Sequence, residues 1–120
     1  KDTLELVAER FRLLGDPLRL QLLQTLAPGE LSVAQLVETT STTQANVSKH
    51  LSVLKRAGLV DSRRDGLNVF YHISDEGVFT ICRNVCDSIE VRLDREHRTV
   101  LRGRREMERG NGDESGPGPH

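Results

Sequence analysis

Apolar residues recur every three or four positions in four stretches of the first 58 residues. The stripes are Leu4, Val7, Ala8, Phe11 and Leu14; Leu18, Leu22, Leu23 and Leu26; Val33, Leu36 and Val37; and Val47, Leu51 and Leu54. This spacing predicts four amphipathic helices. Glycine, proline and polar residues interrupt the stripes at residues 15–17, 28–29 and 39–42, and Gly58 closes the last. Asp16, Ser32 and either Thr42 or Thr43 are suited to cap the helices that follow them.

From Leu59 onward the pattern changes to that of strands. Leu59-Val60 and residues 69–73 are rich in β-branched and aromatic residues, and Asp65-Gly66 between them favours a reversing turn. A last helix follows, capped by Ser74 or Asp75 and extending past residue 98. Its apolar stripe is Val78, Cys82, Val85, Ile89 and Leu93. The expected fold is mainly α with a small β-hairpin, a winged helix-turn-helix in the order α1-α2-α3-α4-β-β-α5.

Length and composition fit one compact domain. We expect it to occupy residues 1–102, followed at 103–120 by a charged and then Gly/Pro-rich tail that is disordered. No apolar run approaches the roughly 18–20 residues of a membrane span, so no membrane association is expected. The expected location is the cytoplasm, where the two cysteines would be reduced thiols.

The positive charge of the chain is concentrated in its middle. The net charge is −1, but residues 41–66 hold five Lys or Arg against two Asp, a local balance of +3. Residues 1–40 have a balance of −2. A basic segment that covers the second helix of a helix-turn-helix and the following hairpin is typical of a DNA-binding surface.

The candidate DNA contacts lie at the start of the fourth helix and in the hairpin. They are Thr43, Gln44, Asn46, Ser48, Lys49 and His50, with Arg63 and Arg64 in the hairpin. Amides read adenine, while hydroxyls and cations bind phosphates, and Gln44 and Lys49 are the preferred contacts. The alternatives are an ordinary solvated helix face and, for His50, a packing role.

Residues 30–36 (ELSVAQL) and 43–60 (TQANVSKHLSVLKRAGLV) resemble the ArsR/SmtB family of repressors, as does the hairpin with its arginines and Phe70-Tyr71. The resemblance extends over about residues 4–95. It implies a homodimer formed by the first and last helices, with two recognition helices in successive major grooves of an inverted-repeat operator. It also implies release of the DNA by an effector.

Two effector sites of that family are incomplete in this sequence. The arsenic-type site needs two cysteines in the third helix, where this chain has Ser32 and Ala34. The zinc-type site of the last helix is matched by Asp75 alone, since Gly77, Ser88 and Val91 occupy its other positions. One ligand of four cannot hold zinc.

Cys82 and Cys86 remain as a candidate effector site. Four-residue spacing places both thiols on one side of the last helix, where two copies of the chain would offer four sulfurs. That set suits a thiophilic metal, As(III) or a redox bridge between subunits, and suits nickel or zinc less well. The alternative is that both cysteines are packing residues. His72 and His97 have no other potential ligands at a spacing suited to a metal site, so we assign no metal-binding role to them.

Two other functions, that of an enzyme and that of a protein-interaction module, fit the sequence less well. The chain contains no recognisable catalytic constellation or phosphate-binding glycine loop, so no enzymatic activity is expected. A protein-interaction module would use the long last helix and leave the basic segment unexplained. An effector-independent regulator, or one that acts with an accessory protein, stays open.

Overall fold

The computed structural model describes residues 2–109, and side chains as far as residue 100. Its elements are α1 (Thr3–Leu14), α2 (Pro17–Leu26), β1 (Leu31–Ser32), α3 (Val33–Thr40), α4 (Gln44–Arg56), β2 (Val60–Asp65), β3 (Asn68–Ile73) and α5 (Glu76–Arg109). The chain falls into two compact units that divide between Thr80 and Ile81. All strands and the first four helices belong to the first unit.

Side-chain caps fix where the helices begin. Asp16 Oδ1 accepts hydrogen bonds from the backbone N–H groups of Leu18 and Arg19. Ser32 forms a capping box with Gln35, and Asp75 accepts from Val78 N. Each cap satisfies N–H groups that have no partner in the first turn of a helix. These observations confirm the predicted caps at positions 16, 32 and 75.

The core of the first unit is formed mainly by leucines from α2, α3 and α4. The fully buried side chains are Leu22, Leu26, Leu36, Val47, Leu51, Leu54, Leu59 and Val60. The apolar stripes predicted for α2, α3 and α4 therefore face one another. In α1 only Leu14 is buried, and Leu4, Val7 and Phe11 stay exposed.

The strands form an antiparallel sheet of three, in the order β1-β3-β2. The expected two-stranded hairpin was incomplete, because Leu31 and Ser32 also pair with Tyr71 and Phe70. A two-residue strand is too short to leave a periodic signal. The first strand of the hairpin is longer than the predicted Leu59-Val60, since β2 continues to Asp65 and the turn consists of Gly66 and Leu67. Gly66 has a φ of 65°, which glycine adopts without strain.

The second unit consists of the remainder of α5. The helix continues to Arg109, beyond the domain boundary expected at residue 102. One glycine costs about 1 kcal/mol in a helix interior, which is too little for Gly103 to end so long a helix. The Gly/Pro-rich residues 110–120 lie outside the described residues. No helix in the described part of the chain is both long enough and apolar enough to cross a membrane.

Candidate nucleic-acid interface

A tight turn joins α3 to α4. Ser41 follows α3 in the left-handed conformation, with φ 56° and ψ 36°, and only residues 41–43 separate α3 from α4. Thr43 then caps α4, and its Oγ1 accepts a hydrogen bond from Asn46 N at 3.1 Å. The contacts of α2 and α3 with α4 hold this helix-turn-helix on the core.

Helix α4 has a buried face and an exposed face. Val47, His50, Leu51 and Leu54 are buried. Gln44, Lys49 and Ser52 are exposed on the other side, and Ser48 is half-buried beside them. Spacings of one, three and four residues place these polar side chains on one continuous face. Four of the predicted contacts, Thr43, Gln44, Ser48 and Lys49, are thus accessible together at the start of α4.

Asn46 is less accessible than its neighbours. It is half-buried, and its Nδ2 donates to Thr42 Oγ1 at 3.1 Å. Together with the Thr43 cap, this bond makes Asn46 part of the closure of the turn. Its amide would have to exchange an internal hydrogen bond to read a base.

His50 is a packing residue. Its exposed fraction is only 7%, and its Nδ1 accepts a hydrogen bond from Arg19 Nε at 3.0 Å. A side chain that faces the core cannot also reach DNA from the exposed side of the same helix. The burial of His50 and its hydrogen bond to Arg19 favour the packing alternative over a direct DNA contact.

The two hairpin arginines differ in their surroundings. Arg63 forms a two-point ion pair with Glu30, with Nε–Oε2 and Nη2–Oε1 distances of 2.7 and 2.8 Å. Its guanidinium also stacks 4.7 Å from the ring centroid of Phe70. The hydrogen bond from Arg63 lowers the pKa of Glu30, and the Glu30 carboxylate raises the pKa of Arg63 in return. The charge of Arg63 is therefore largely compensated within the protein.

Arg64 is the cation of the hairpin that stays available. Successive side chains of a strand point to opposite faces, so Arg64 lies on the side away from the Glu30 and Phe70 contacts of Arg63. Its side chain is exposed, and no ion-pair partner lies near it among residues 2–100. At the tip of the hairpin Leu67 is 98% exposed.

The cysteines lie in α5, in the second unit. Both are half-buried free thiols, and burial raises the pKa of Cys82. Cys86 Sγ donates to Glu90 Oε2 at 3.8 Å. Within the described part of one chain, no three His, Cys, Asp or Glu side chains come together as a metal site. A site of three or more ligands at these cysteines would need groups from beyond the described part of this chain.

Three contacts of this region were not expected from the sequence: that of Arg19 with His50, and those of Arg63 with Glu30 and with Phe70. The first joins residues 31 positions apart, and sequence periodicity carries no signal for it. The Arg63–Phe70 pair could have been predicted, because a two-residue turn at Gly66-Leu67 places these residues opposite each other.

A helix-turn-helix followed by a β-hairpin with an exposed arginine defines the winged helix-turn-helix class. The family model for bacterial regulatory proteins of the arsR family matches residues 16–62. The regulator KmtR of Mycobacterium tuberculosis is 44% identical over 77 residues, which is 64% of this chain and 59% of KmtR. A transcriptional repressor of Synechocystis, an SmtB homolog, is 37% identical over 89 residues, 74% of this chain and 67% of that protein.

Solved structures give the same result. The homodimeric winged helix-turn-helix domain of Mb0332 from Mycobacterium bovis is similar with a TM-score of 0.69 and 33% identity, over 78% of this chain and 87% of that one. The chain belongs to the ArsR family of transcriptional regulators. It spans just under three fifths of the length of KmtR.

Proposed function

We propose that the protein is a repressor that binds an inverted-repeat DNA operator as a homodimer. The observation that carries this proposal is the polar face of α4. Gln44 and Lys49 are exposed, with half-buried Ser48 beside them, at the N-terminal half of a helix whose opposite face is buried in the core. A helix presented in this way fits the major groove, where an amide reads adenine and a cation binds phosphate.

The hairpin of β2 and β3, the wing, supplies the second contact. Arg64 is directed to the phosphates or to the minor groove beside the site of α4. Arg63 supports the wing through Glu30 and Phe70 and makes no primary DNA contact. Thr43 adds a hydroxyl that can donate to a phosphate while its oxygen caps α4.

A second copy of the chain is the proposed occupant of the exposed apolar side chains. In α1 these are Leu4, Val7 and Phe11, and in α5 they include Val85, Ile89 and Leu93. A single chain leaves both stripes exposed to water. Association of two copies would bury them, and burial of apolar surface lowers the free energy. Two-fold symmetry then presents two α4 helices to two half-sites.

The effector part of the proposal rests on Cys82 and Cys86. Two copies would supply four thiols, a set suited to a thiophilic metal or As(III), and less to nickel or zinc, or to a redox bridge between subunits. The alternative is a regulator without an effector in which both cysteines only pack, or one that acts with an accessory protein. The burial that raises the pKa of Cys82 favours this alternative. The proposal includes no catalytic activity and a cytoplasmic location, where a regulator reaches the chromosome.

DNA binding is tested by titrating the DNA upstream of its own gene at several salt concentrations. Lys49→Gln should weaken binding and reduce the slope of log K against log salt by about one, because one phosphate contact is lost. Arg95→Gln, the same loss of charge at an exposed site of α5, is the control and should leave the slope unchanged. Equal slopes for wild type and Lys49→Gln would contradict the assignment of α4.

The effector is tested in the same titration with arsenite, zinc, nickel or an oxidant added. Loss of binding in the wild type but not in the Cys82→Ser/Cys86→Ser variant would establish a thiol sensor. Tight binding that no addition changes would assign both cysteines to packing.

A further inference from the structure

Arg19 of α2 connects two other helices. Its Nη1 donates to the backbone carbonyl of Leu13 in the last turn of α1, at 3.0 Å. Its Nε donates to Nδ1 of His50 in α4, also at 3.0 Å. One planar guanidinium thereby links the end of α1 to the middle of the DNA-facing helix.

The end of α1 is a suitable anchor for this cation. The last four carbonyls of a helix have no partner within it, and they carry the negative end of its dipole. Leu13 O is one of these carbonyls, since α1 ends one residue later at Leu14 and Gly15 is its C-cap. Arg19 therefore satisfies an acceptor of α1 and places its charge where the helix dipole favours it.

The N-terminal cap of α2 also restrains the backbone of Arg19. The backbone N–H of Arg19 donates to Asp16 Oδ1 at 3.2 Å, in the cap that starts α2. This hydrogen bond is the largest of the causes that hold the pKa of Asp16 below its ordinary value, so Asp16 stays a carboxylate close to the cation. Arg19 thus donates hydrogen bonds to three residues: Asp16 through its backbone, and Leu13 and His50 through its side chain.

The hydrogen bond from Arg19 also defines the tautomer of the His50 imidazole. A guanidinium has donors only, so the imidazole must offer the lone pair of Nδ1 and carry its proton on Nε2. His50 is buried, and losing the Arg19 donor would leave an unpaired polar atom in the core. The orientation of the ring is therefore coupled to Arg19.

We propose that Arg19 is the positioning residue of the DNA-facing helix, holding α4 through His50 at an angle fixed by the end of α1. Residues of one helix rotate together, so holding His50 fixes where Gln44, Ser48 and Lys49 point. The same two hydrogen bonds offer a movement of α1 a direct route to α4 through the Arg19 side chain. This inference rests on the proposed DNA binding by α4.

The test measures affinity for the DNA upstream of its own gene, with the protein well below its melting temperature. Arg19→Met and His50→Phe each remove the hydrogen bond and keep a side chain of similar bulk. Each should weaken binding about tenfold, the effect expected when a buried charge-assisted hydrogen bond is lost. Arg12→Met, the same substitution at an exposed arginine of α1, is the control and should bind as the wild type does.

Two further variants separate positioning from a general loss of stability. The double variant Arg19→Met/His50→Phe should bind about as weakly as Arg19→Met alone, because both changes break one link. His50→Asn keeps an acceptor close to the position of Nδ1 and should retain most of the affinity that His50→Phe loses. Should Arg19→Met not fold, the two His50 variants decide the question, since neither removes the hydrogen bond from Arg19 to Leu13 O.

A spectroscopic measurement observes the link itself. Nitrogen-15 NMR of the imidazoles should show His50 as the Nε2–H tautomer with Nδ1 accepting a hydrogen bond, and Arg19→Met should shift the Nδ1 signal. Wild-type affinity in both Arg19→Met and His50→Phe, or losses that simply add in the double variant, would overturn the positioning role alone. Failure of the wild type and of Arg12→Met to bind DNA would overturn the proposed function, and the positioning role with it.

Discussion

Glu30 and Arg63 form the strongest polar contact of the wing, and it should be visible as a pH dependence of stability. Arg63 holds the pKa of Glu30 below its ordinary value of 4.5, so the ionised carboxylate is favoured in the folded state. A lowered pKa contributes stability above that ordinary value, and the contribution is lost as the pH falls through the pKa of the folded state.

Glu30→Gln should therefore lower the free energy of unfolding at neutral pH, and its difference from the wild type should shrink as the pH falls below 4.5. Urea unfolding at neutral pH and at about pH 3 measures both effects. Glu38→Gln is the matched control, since Glu38 is exposed on α3 and no ion pair joins it within residues 2–100. A difference that stays constant with pH would mean that the ion pair adds no stability.

Ser41, in the turn of the helix-turn-helix, adopts a left-handed backbone conformation that lowers the stability of the fold. The left-handed conformation costs an L-residue roughly 1–2 kcal/mol, and a β-branched side chain tolerates it worst. Ser41→Val should lower the melting temperature by several degrees, roughly 4–8 °C for each kcal/mol in a domain of this size. Ser41→Gly should not lower it, because glycine adopts this conformation without steric cost. Thr39→Val, in regular helix two residues earlier, is the control, and an equal effect there would contradict the strain argument.

Among the elements, those with periodic apolar faces could be predicted from the sequence and those defined by pairing could not. Val47, Leu51 and Leu54 at helical spacing identify α4, and all three are buried. Strand β1 has only two residues, and its existence depends on Tyr71 and Phe70 being within reach. For a similar reason the sequence left His50 open between a DNA contact and a packing role, because it carries no sign of the Arg19 donor that bonds to His50 in the core.

The wing gives the sharpest contrast between two neighbouring side chains. Arg64→Ala should weaken DNA binding and leave the urea midpoint of unfolding unchanged, since the side chain contacts solvent. Arg63→Ala should lower that midpoint, because Glu30 loses its partner and Phe70 loses the cation stacked on it. The pair of variants is measured by urea unfolding and by DNA titration at fixed salt. The reverse pattern, with Arg64→Ala destabilising and Arg63→Ala not, would contradict this division of roles.

At the scale of the whole molecule, the sequence could indicate that the basic residues and the exposed apolar residues lie in different segments of the chain. The basic middle of the chain coincides with α4 and the wing, while the apolar residues of α1 and α5 that remain exposed point to a second copy. The length of α5 was underestimated because Gly103 and the charged residues after it weaken the apolar period without ending the helix.

The dimer can be tested with two matched substitutions on α5. Ile89 lies on the stripe with Val85 and Leu93, whereas Val91 is equally exposed but lies about 200° away around the helix. Ile89→Asp should shift the protein from dimer to monomer in sedimentation experiments, because two carboxylates would face each other in an apolar contact. DNA affinity should then fall at least tenfold, since one half-site is bound at a time. Val91→Asp should stay dimeric and bind normally. Dimers that tolerate Ile89→Asp but not Val91→Asp would place the contact on the other face of α5.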